Sequence, residues 1–158
     1  MGNKTSPVYR VVARNKKAYH DYEMLEKYEA GLSLLGSEVK SLREGKCSIK
    51  EAYVRIKNSE AWIIKMHIPP YQKQPYRYDP ERPRKLLLHK REIKRLMGLT
   101  SQKGIVVIPL EVYFTRSGWA KVMIAAARRK KKYEKREDKM KKDVERRLRK
   151  EIKTLVRV

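Results

Sequence analysis

Every glycine and every proline of the chain, seven of each, lies ahead of Arg128, together with both tryptophans and nine of the ten tyrosines. Tight reversals need residues that accept left-handed or fixed backbone angles, and a core needs large apolar side chains. The turn residues are therefore confined to residues 1–127, and the aromatic bulk of a core is concentrated there. From Arg128 to Val158 the chain carries sixteen Lys or Arg against six Asp or Glu, so it holds +10 of a total net charge of +23. The sequence predicts a folded body, residues 1–127, followed by a basic tail, residues 128–158.

Within the body the dominant signal is alternation. Tyr22, Met24, Tyr28, Ala30, Leu32 and Leu34 share one face of a long first strand, with Glu26 as the exception. Gly36 ends it, Ser37 is placed to cap a short helix through Val39 and Leu42, and Gly45 stops that helix. Ala52, Val54 and Ile56 alternate with polar residues, Asn58-Ser59 reads as a turn, and Trp62, Ile64, Met66 and Ile68 form the inward face of the returning strand. Five prolines between Pro69 and Pro83 exclude regular structure there, and Tyr71, Tyr76 and Tyr78 mix with Lys73, Arg77 and Arg82. Leu86-Leu87-Leu88 lead into a helix with Ile93, Leu96 and Met97 on one side, ending at Gly98. Ile105–Ile108 is a strand, Pro109 an edge or bend, and Ser117-Gly118 turns the chain into a last strand from Trp119 to Ala127. Five or six antiparallel strands with two or three short helices give a mainly β fold. They favour a small closed barrel with a helix across one opening over a sandwich.

The tail reads as one amphipathic helix. Tyr133, Met140, Val144, Leu148, Ile152, Leu155 and Val156 fall within one half of a helical wheel and the cations cluster on the other. Four acid-first pairs four residues apart, beginning at Glu137, Asp138, Asp143 and Glu145, add roughly 1 to 2 kcal/mol together. That does not hold an isolated helix firmly, so the tail is disordered or helical when free and helical when bound to a phosphate-lined surface. Packing on the body, a coiled coil and a membrane-surface helix are the alternatives.

The same charge sorts the possible functions. An excess of +23 wants a polyanion. No apolar run approaches the twenty or so residues of a membrane span, and Met1 to Arg14 lacks the apolar stretch of a leader, which places the chain in the cytosol. Cys47 is alone and His20, His67 and His89 are scattered, so neither a disulfide nor a metal site is expected, and no cofactor-binding motif occurs. Enzymatic chemistry is possible but unsupported. Cations mixed with aromatics, at Lys16-Lys17 beside Tyr19 and His20, at Tyr76-Arg77-Tyr78 and around Trp119 and Lys121, suit phosphates and unstacked bases of RNA. Each ring has an alternative place in the core, Trp62 and Tyr28 above all.

Four segments carry a family likeness: Asn15-Lys16-Lys17-Ala18-Tyr19-His20-Asp21-Tyr22, Tyr28-Glu29-Ala30-Gly31-Leu32, Gly36-Ser37-Glu38-Val39-Lys40-Ser41-Leu42-Arg43 and Arg84-Lys85-Leu86-Leu87-Leu88-His89-Lys90. In order and spacing they resemble the small protein B family, the SsrA-binding proteins of bacterial trans-translation, from about Asn15 to Asp138. The resemblance implies an oligonucleotide-binding (OB) barrel that binds the tRNA-like part of transfer-messenger RNA. It further implies delivery of that RNA to stalled ribosomes, with elongation factor Tu as a partner through the shared RNA and no membrane involved. Carried over by position, RNA contacts fall on Asn15, Lys16, Lys17, His20, Glu29, Leu87 and Lys121, joined by Lys40, Arg84 and Lys85 of the matched motifs. Contacts to the decoding centre, the message channel and small-subunit ribosomal RNA fall on Lys130, Lys131, Tyr133, Lys135 and Arg136 of the tail, which senses the empty channel. The family's Gly-Lys-Lys at the start of the tail reads Arg129-Lys130-Lys131 here, which bears on how freely the tail swings.

Overall fold

The computed structural model describes residues 8–73 and 78–156; the expected RNA contacts of Tyr76 and Arg77 lie outside these residues. The fold is mainly β, one antiparallel sheet of seven strands with four helices. The elements in chain order are β1 (Val8–Arg14), α1 (Lys16–Asp21), β2 (Tyr22–Leu32), α2 (Gly36–Arg43), β3 (Tyr53–Lys57) and β4 (Glu60–Ile64). They continue with β5 (Arg84–Leu87), α3 (Lys90–Thr100), β6 (Ile105–Thr115), β7 (Ala120–Arg129) and α4 (Lys132–Val156). Strand order is β1-β6-β3-β4-β5-β2-β7, and β7 also pairs with β6.

The strand expected to be first is β2. Tyr28 and Ala30 face the main core, but the register shift between Met24 and Glu26 puts Tyr22 and Met24 on the opposite side of the sheet, so the expected single face holds only beyond that bulge. Two elements precede it that alternation did not disclose. β1 pairs with β6 through two register shifts, which scramble the period of two, and α1 is too short to show a helical period. The Asn58-Ser59 turn is as expected, both residues having positive φ of 52° and 58°. The inward face of the returning strand is the opposite of the expected one. Ala61 and Ile63 are buried and Trp62 and Ile64 only half-buried, until Lys65, at φ 60°, shifts the phase and turns Met66 and Ile68 inward.

Further corrections concern the helices. Ser37 lies inside α2; the N-cap is Leu35, whose backbone N–H donates to Glu38 Oε1 at 2.9 Å. The leucine triplet leads into α3 as expected, with Leu86 and Leu87 ending the strand β5, and α3 passes through Gly98 to bury Ile93, Leu96 and Leu99, leaving Met97 exposed. The main core joins the inner faces of the sheet to α2 and α3. A smaller cluster of Ile108, Leu110, Ala125 and Ala127 lies on the other side of β6 and β7 beneath Ala18 of α1.

The tail is helical over 25 residues, about 37 Å long. Its root is tied down: Lys130 N–H donates to the Asp21 carbonyl at 2.8 Å, Lys135 Nζ lies 3.0 Å from Asp21 Oδ1, and the Lys130 ammonium pairs with Asp138. Asp138 thus pairs backward instead of only supporting Lys142 ahead of it. From Lys139 to Thr154 every residue is exposed, including Met140, Val144, Leu148 and Ile152, so this part of the helix does not pack on the body.

Candidate nucleic-acid interface

Strand register builds the candidate site. Residues directly opposite in an antiparallel pair project from the same face, and alternate residues repeat it. Tyr113 on β6 faces Lys121 on β7, Lys121 faces Gly31 on β2, and Gly31 faces Leu87 on β5. A single row therefore crosses four strands on the face away from the main core. Glu29, two residues before Gly31, and Lys85, two before Leu87 and opposite Trp62, widen it into a patch. α1 covers one end of this face through Ala18; the other end is open.

The open end forms a groove of about 1330 Å³, walled by Glu29, Lys85, Leu87 and Lys121 with His89, Arg91 and Arg95 of the α3 end. Leu87 stands in it 57% exposed, an apolar side chain flanked by cations. Gly31 makes room for it, since a Cβ there would lie 3.2 Å from Leu87 Cβ. The wall carboxylates are engaged: Glu60 lies 3.5 Å from Lys85 Nζ, Glu92 accepts the His89 N–H at 3.0 Å, and Glu29 Oε2 accepts the Tyr113 hydroxyl. Arg95 forks onto Glu26, with Nη2 2.6 Å from Oε1, and this bond holds the Glu26 carboxyl below its ordinary range. Lys121 and Arg91 have no ion-pair partner among the described residues, which leaves two cations for phosphate. Cations, an exposed aliphatic side chain and a fixed carboxylate match phosphate, an unstacked ribose or base, and a hydrogen-bond-donating nucleotide edge respectively.

The other expected contacts are placed elsewhere. Lys16, Lys17 and His20 are exposed on α1, and His20 Nδ1 lies 3.0 Å from Asp21 Oδ1. Lys17 borders a second cavity of about 510 Å³ against Tyr53, Arg55 and Arg129. Asn15 is buried: its Oδ1 accepts the Ala18 N–H at 3.2 Å as the N-cap of α1, and its Nδ2 donates to Pro109 O at 3.2 Å. Pro109 sits beside a register shift in β6, so Asn15 locks α1 onto that irregularity rather than facing a ligand. Lys40 is exposed on α2 with its ammonium 5.6 Å from the Tyr71 ring centre.

Arg84 is the clearest correction among the expected contacts. It is fully buried; its Nε donates to the fully buried Glu38, its Nη1 to Met66 O at 2.6 Å and its Nη2 to Pro80 O at 3.0 Å. Each of its nitrogens bonds inside the protein and the side chain is closed off from solvent, so Arg84 holds β5, α2 and the proline-rich segment together and does not reach an RNA. Tyr78 turns inward too, its hydroxyl donating to Pro69 O at 2.7 Å. In the tail, Lys131 and Arg136 are exposed, Lys130 and Lys135 anchor the root, and the Tyr133 side chain lies outside the described residues. The contributions of His89, Arg91, Arg95 and Tyr113 were not singled out from sequence. The cations of α3 were visible on its polar face, but only the fold turns that face to the groove.

Among the described residues no group of His, Cys, Asp or Glu is arranged to hold a metal ion, and no helix is long and apolar enough to cross a membrane. The Cys47 thiol is pushed up to about 12 by burial, so it stays protonated and unreactive.

The groove residues fall in segments shared with known proteins. Residues 12–154 match the family model described as SmpB protein. An SsrA-binding protein from Sulfurihydrogenibium sp. (strain YO3AOP1) is 53% identical, the alignment covering 94% of this chain and 98% of the relative. One from Carboxydothermus hydrogenoformans is 47% identical over 90% of this chain and 96% of its own. A chain in the solved structure described as "tmRNA-SmpB: a journey to the center of the bacterial ribosome" superposes with a TM-score of 0.64 at 47% identity, covering 80% of this chain and 87% of that one. With a matched model across most of its length and relatives near half identity end to end, the chain belongs to the SmpB family.

Proposed function

We propose that the protein binds the tRNA-like part of transfer-messenger RNA and delivers it to stalled ribosomes, where the incomplete peptide is tagged and released by trans-translation. The observation that carries this reading is the convergence of Glu29, Lys85, Leu87 and Lys121 on one groove, in a chain so similar to SsrA-binding proteins. Arg91 and Lys121 neutralise phosphates, Lys85 joins them by exchanging Glu60 for a phosphate, Leu87 covers an unstacked ribose or base, and Glu29 accepts from a ribose hydroxyl or a base amino group. Lys16, Lys17 and His20 of α1 add a further contact strip, with Asn15 fixing their helix.

The body is an OB-type barrel. Following its pairings from β6 through β3, β4, β5, β2 and β7 returns to β6, which supports closure and leaves β1 as an added strand. Residues 1–127 form this body and residues 128–158 the tail, with β7 carrying the junction on to Arg129. The tail enters the vacant message channel near the decoding centre, presenting Lys130, Lys131, Tyr133, Lys135 and Arg136 to small-subunit ribosomal RNA. Elongation factor Tu joins through the shared RNA. The protein acts in the cytoplasm as an adaptor without catalysis of its own.

Recovering the protein from cells and sequencing the RNA that accompanies it tests the reading. Transfer-messenger RNA should dominate the recovered pool; a pool of unrelated structured RNAs in its place would mark a generic basic RNA binder and overturn it.

A further inference from the structure

Tyr113 stands out among the side chains of the groove-bearing face. It projects to the same side as Lys121 and Glu29, yet it is only 2% exposed, and its hydroxyl donates to Glu29 Oε2. A tyrosine on an outward face usually keeps its hydroxyl in water. This one is spent on a carboxylate from a different strand, 84 positions away in sequence. Burial, and then the Glu29 carboxylate, push the Tyr113 phenol above its ordinary range. It therefore keeps its proton at any pH at which the chain works and remains a donor.

We propose that Tyr113 is the positioning residue of the RNA groove, holding the Glu29 carboxylate in one orientation as a fixed acceptor that selects a hydrogen-bond-donating nucleotide edge, a ribose 2′-hydroxyl or a base amino group. The inference rests on the reading of Glu29 as an RNA contact. An ionised carboxylate has about four acceptor positions, so the Tyr113 bond fills one and leaves capacity for a ligand beside whatever else Glu29 holds. Glu29 is only partly buried, and the Tyr113 bond narrows the rotamers open to a long carboxylate side chain at a groove wall. Fixing it beforehand removes that ordering cost from binding. The placement also suits selectivity, because an acceptor-only group with a fixed direction disfavours an edge that presents only acceptors. Lys121, directly opposite Tyr113 across β6 and β7, supplies phosphate attraction beside it, so the row pairs a sequence-indifferent contact with a discriminating one.

The test is a double-mutant cycle on the full chain, with the tRNA-like domain of transfer-messenger RNA as the probe and thermal unfolding measured for each variant. Glu29→Gln should weaken binding about tenfold and Tyr113→Phe by a similar factor, since hydrogen bonds to charged groups are of this order. In the Glu29→Gln background, Tyr113→Phe should change affinity by less than about twofold. Glu29→Asp, which keeps the charge but draws the carboxylate back from the hydroxyl, should lose as much as Tyr113→Phe; it tests the same bond should Tyr113→Phe prove unable to fold. Equal losses from Tyr113→Phe in both backgrounds would mean that Tyr113 acts through packing, and would overturn the proposal. A loss from Glu29→Gln with none from Tyr113→Phe or Glu29→Asp would overturn the positioning role while leaving Glu29 as a contact. Full affinity in Glu29→Gln would remove the contact itself, and the proposal with it.

Discussion

Replacing Glu38 by Gln separates architecture from RNA contact. Glu38 and Arg84 are both fully buried, and Glu38 also accepts from Arg82 Nε at 3.2 Å and from the Leu35 N–H at 2.9 Å. Removing the negative charge leaves the Arg84 guanidinium in the interior with no counter-charge of its own, a perturbation of about 3 to 5 kcal/mol when one member of a buried pair is lost. Domains of this kind have about 5 to 15 kcal/mol in all, so the variant should lose roughly a fifth or more of its stability. At about 2 to 4 °C per kcal/mol the melting temperature should fall by roughly 6 to 20 °C. Urea unfolding followed by circular dichroism measures this directly. Glu38→Leu combined with Arg84→Met should recover more than half of the loss, because two apolar side chains carry no desolvation penalty. Below its lowered melting temperature, Arg84→Met should also leave the salt dependence of RNA binding unchanged, whereas Lys121→Ala should reduce that slope by about 0.7 to 0.9 for one phosphate contact. A loss below about 1 kcal/mol in Glu38→Gln, or a reduced salt slope in Arg84→Met, would refute the assignment of this pair to the interior.

Three further outcomes follow from the structure. Gly31→Ala should weaken RNA binding several-fold by pushing Leu87 out of its seat, as the added Cβ would meet Leu87 Cβ at 3.2 Å; binding equal to the parent would mean that the position of Leu87 is immaterial. Bonds from His20 and Lys135 hold the Asp21 carboxyl below its ordinary range, and Lys130 does the same for Asp138. A depressed carboxylate stabilises the fold above its unfolded value, so these ties should be present at neutral pH and lost as pH falls below about 4, read from the amide shifts of Lys130 and Lys135. Shifts that stay constant to pH 2 would contradict it. Leu148→Pro should cost on the order of 3 kcal/mol of helix in α4 and abolish tagging on stalled ribosomes, while affinity for the tRNA-like RNA stays within about an order of magnitude. Full tagging by that variant would refute the role given to the tail.

Local chemistry made much of the fold legible. The Asn58-Ser59 turn, the Gly118 reversal and the face of β2 beyond its bulge follow from single residues and a period of two, and α4 from a period of 3.6. The sequence misled where one backbone angle or one long-range partner decided the outcome. Lys65 changes the phase of an alternating run without changing its composition, and the register shifts of β1 hide a strand rich in valine. Arg84 reads as a surface cation until Glu38, Met66 and Pro80 are brought around it by three separate segments. The groove combines both cases. Glu29, Lys85 and Leu87 fall in the family motifs and Lys121 at a position carried over from the resemblance, but the row linking Tyr113, Lys121, Gly31 and Leu87 exists only once β6, β7, β2 and β5 pair, which no local pattern encodes.

The central claim is that the groove recognises one RNA architecture and is more than a basic surface. Competition at physiological salt measures it most directly: a labelled tRNA-like domain bound to the full chain is displaced either by the same RNA or by an unrelated structured RNA of equal length. The placement of Glu29 and Leu87 beside the phosphate-binding cations predicts that the unrelated RNA needs at least about tenfold higher concentration, with the difference lost in the Glu29→Gln, Leu87→Ala double variant. Equal displacement by both RNAs would contradict the account, since charge alone would then explain all the binding.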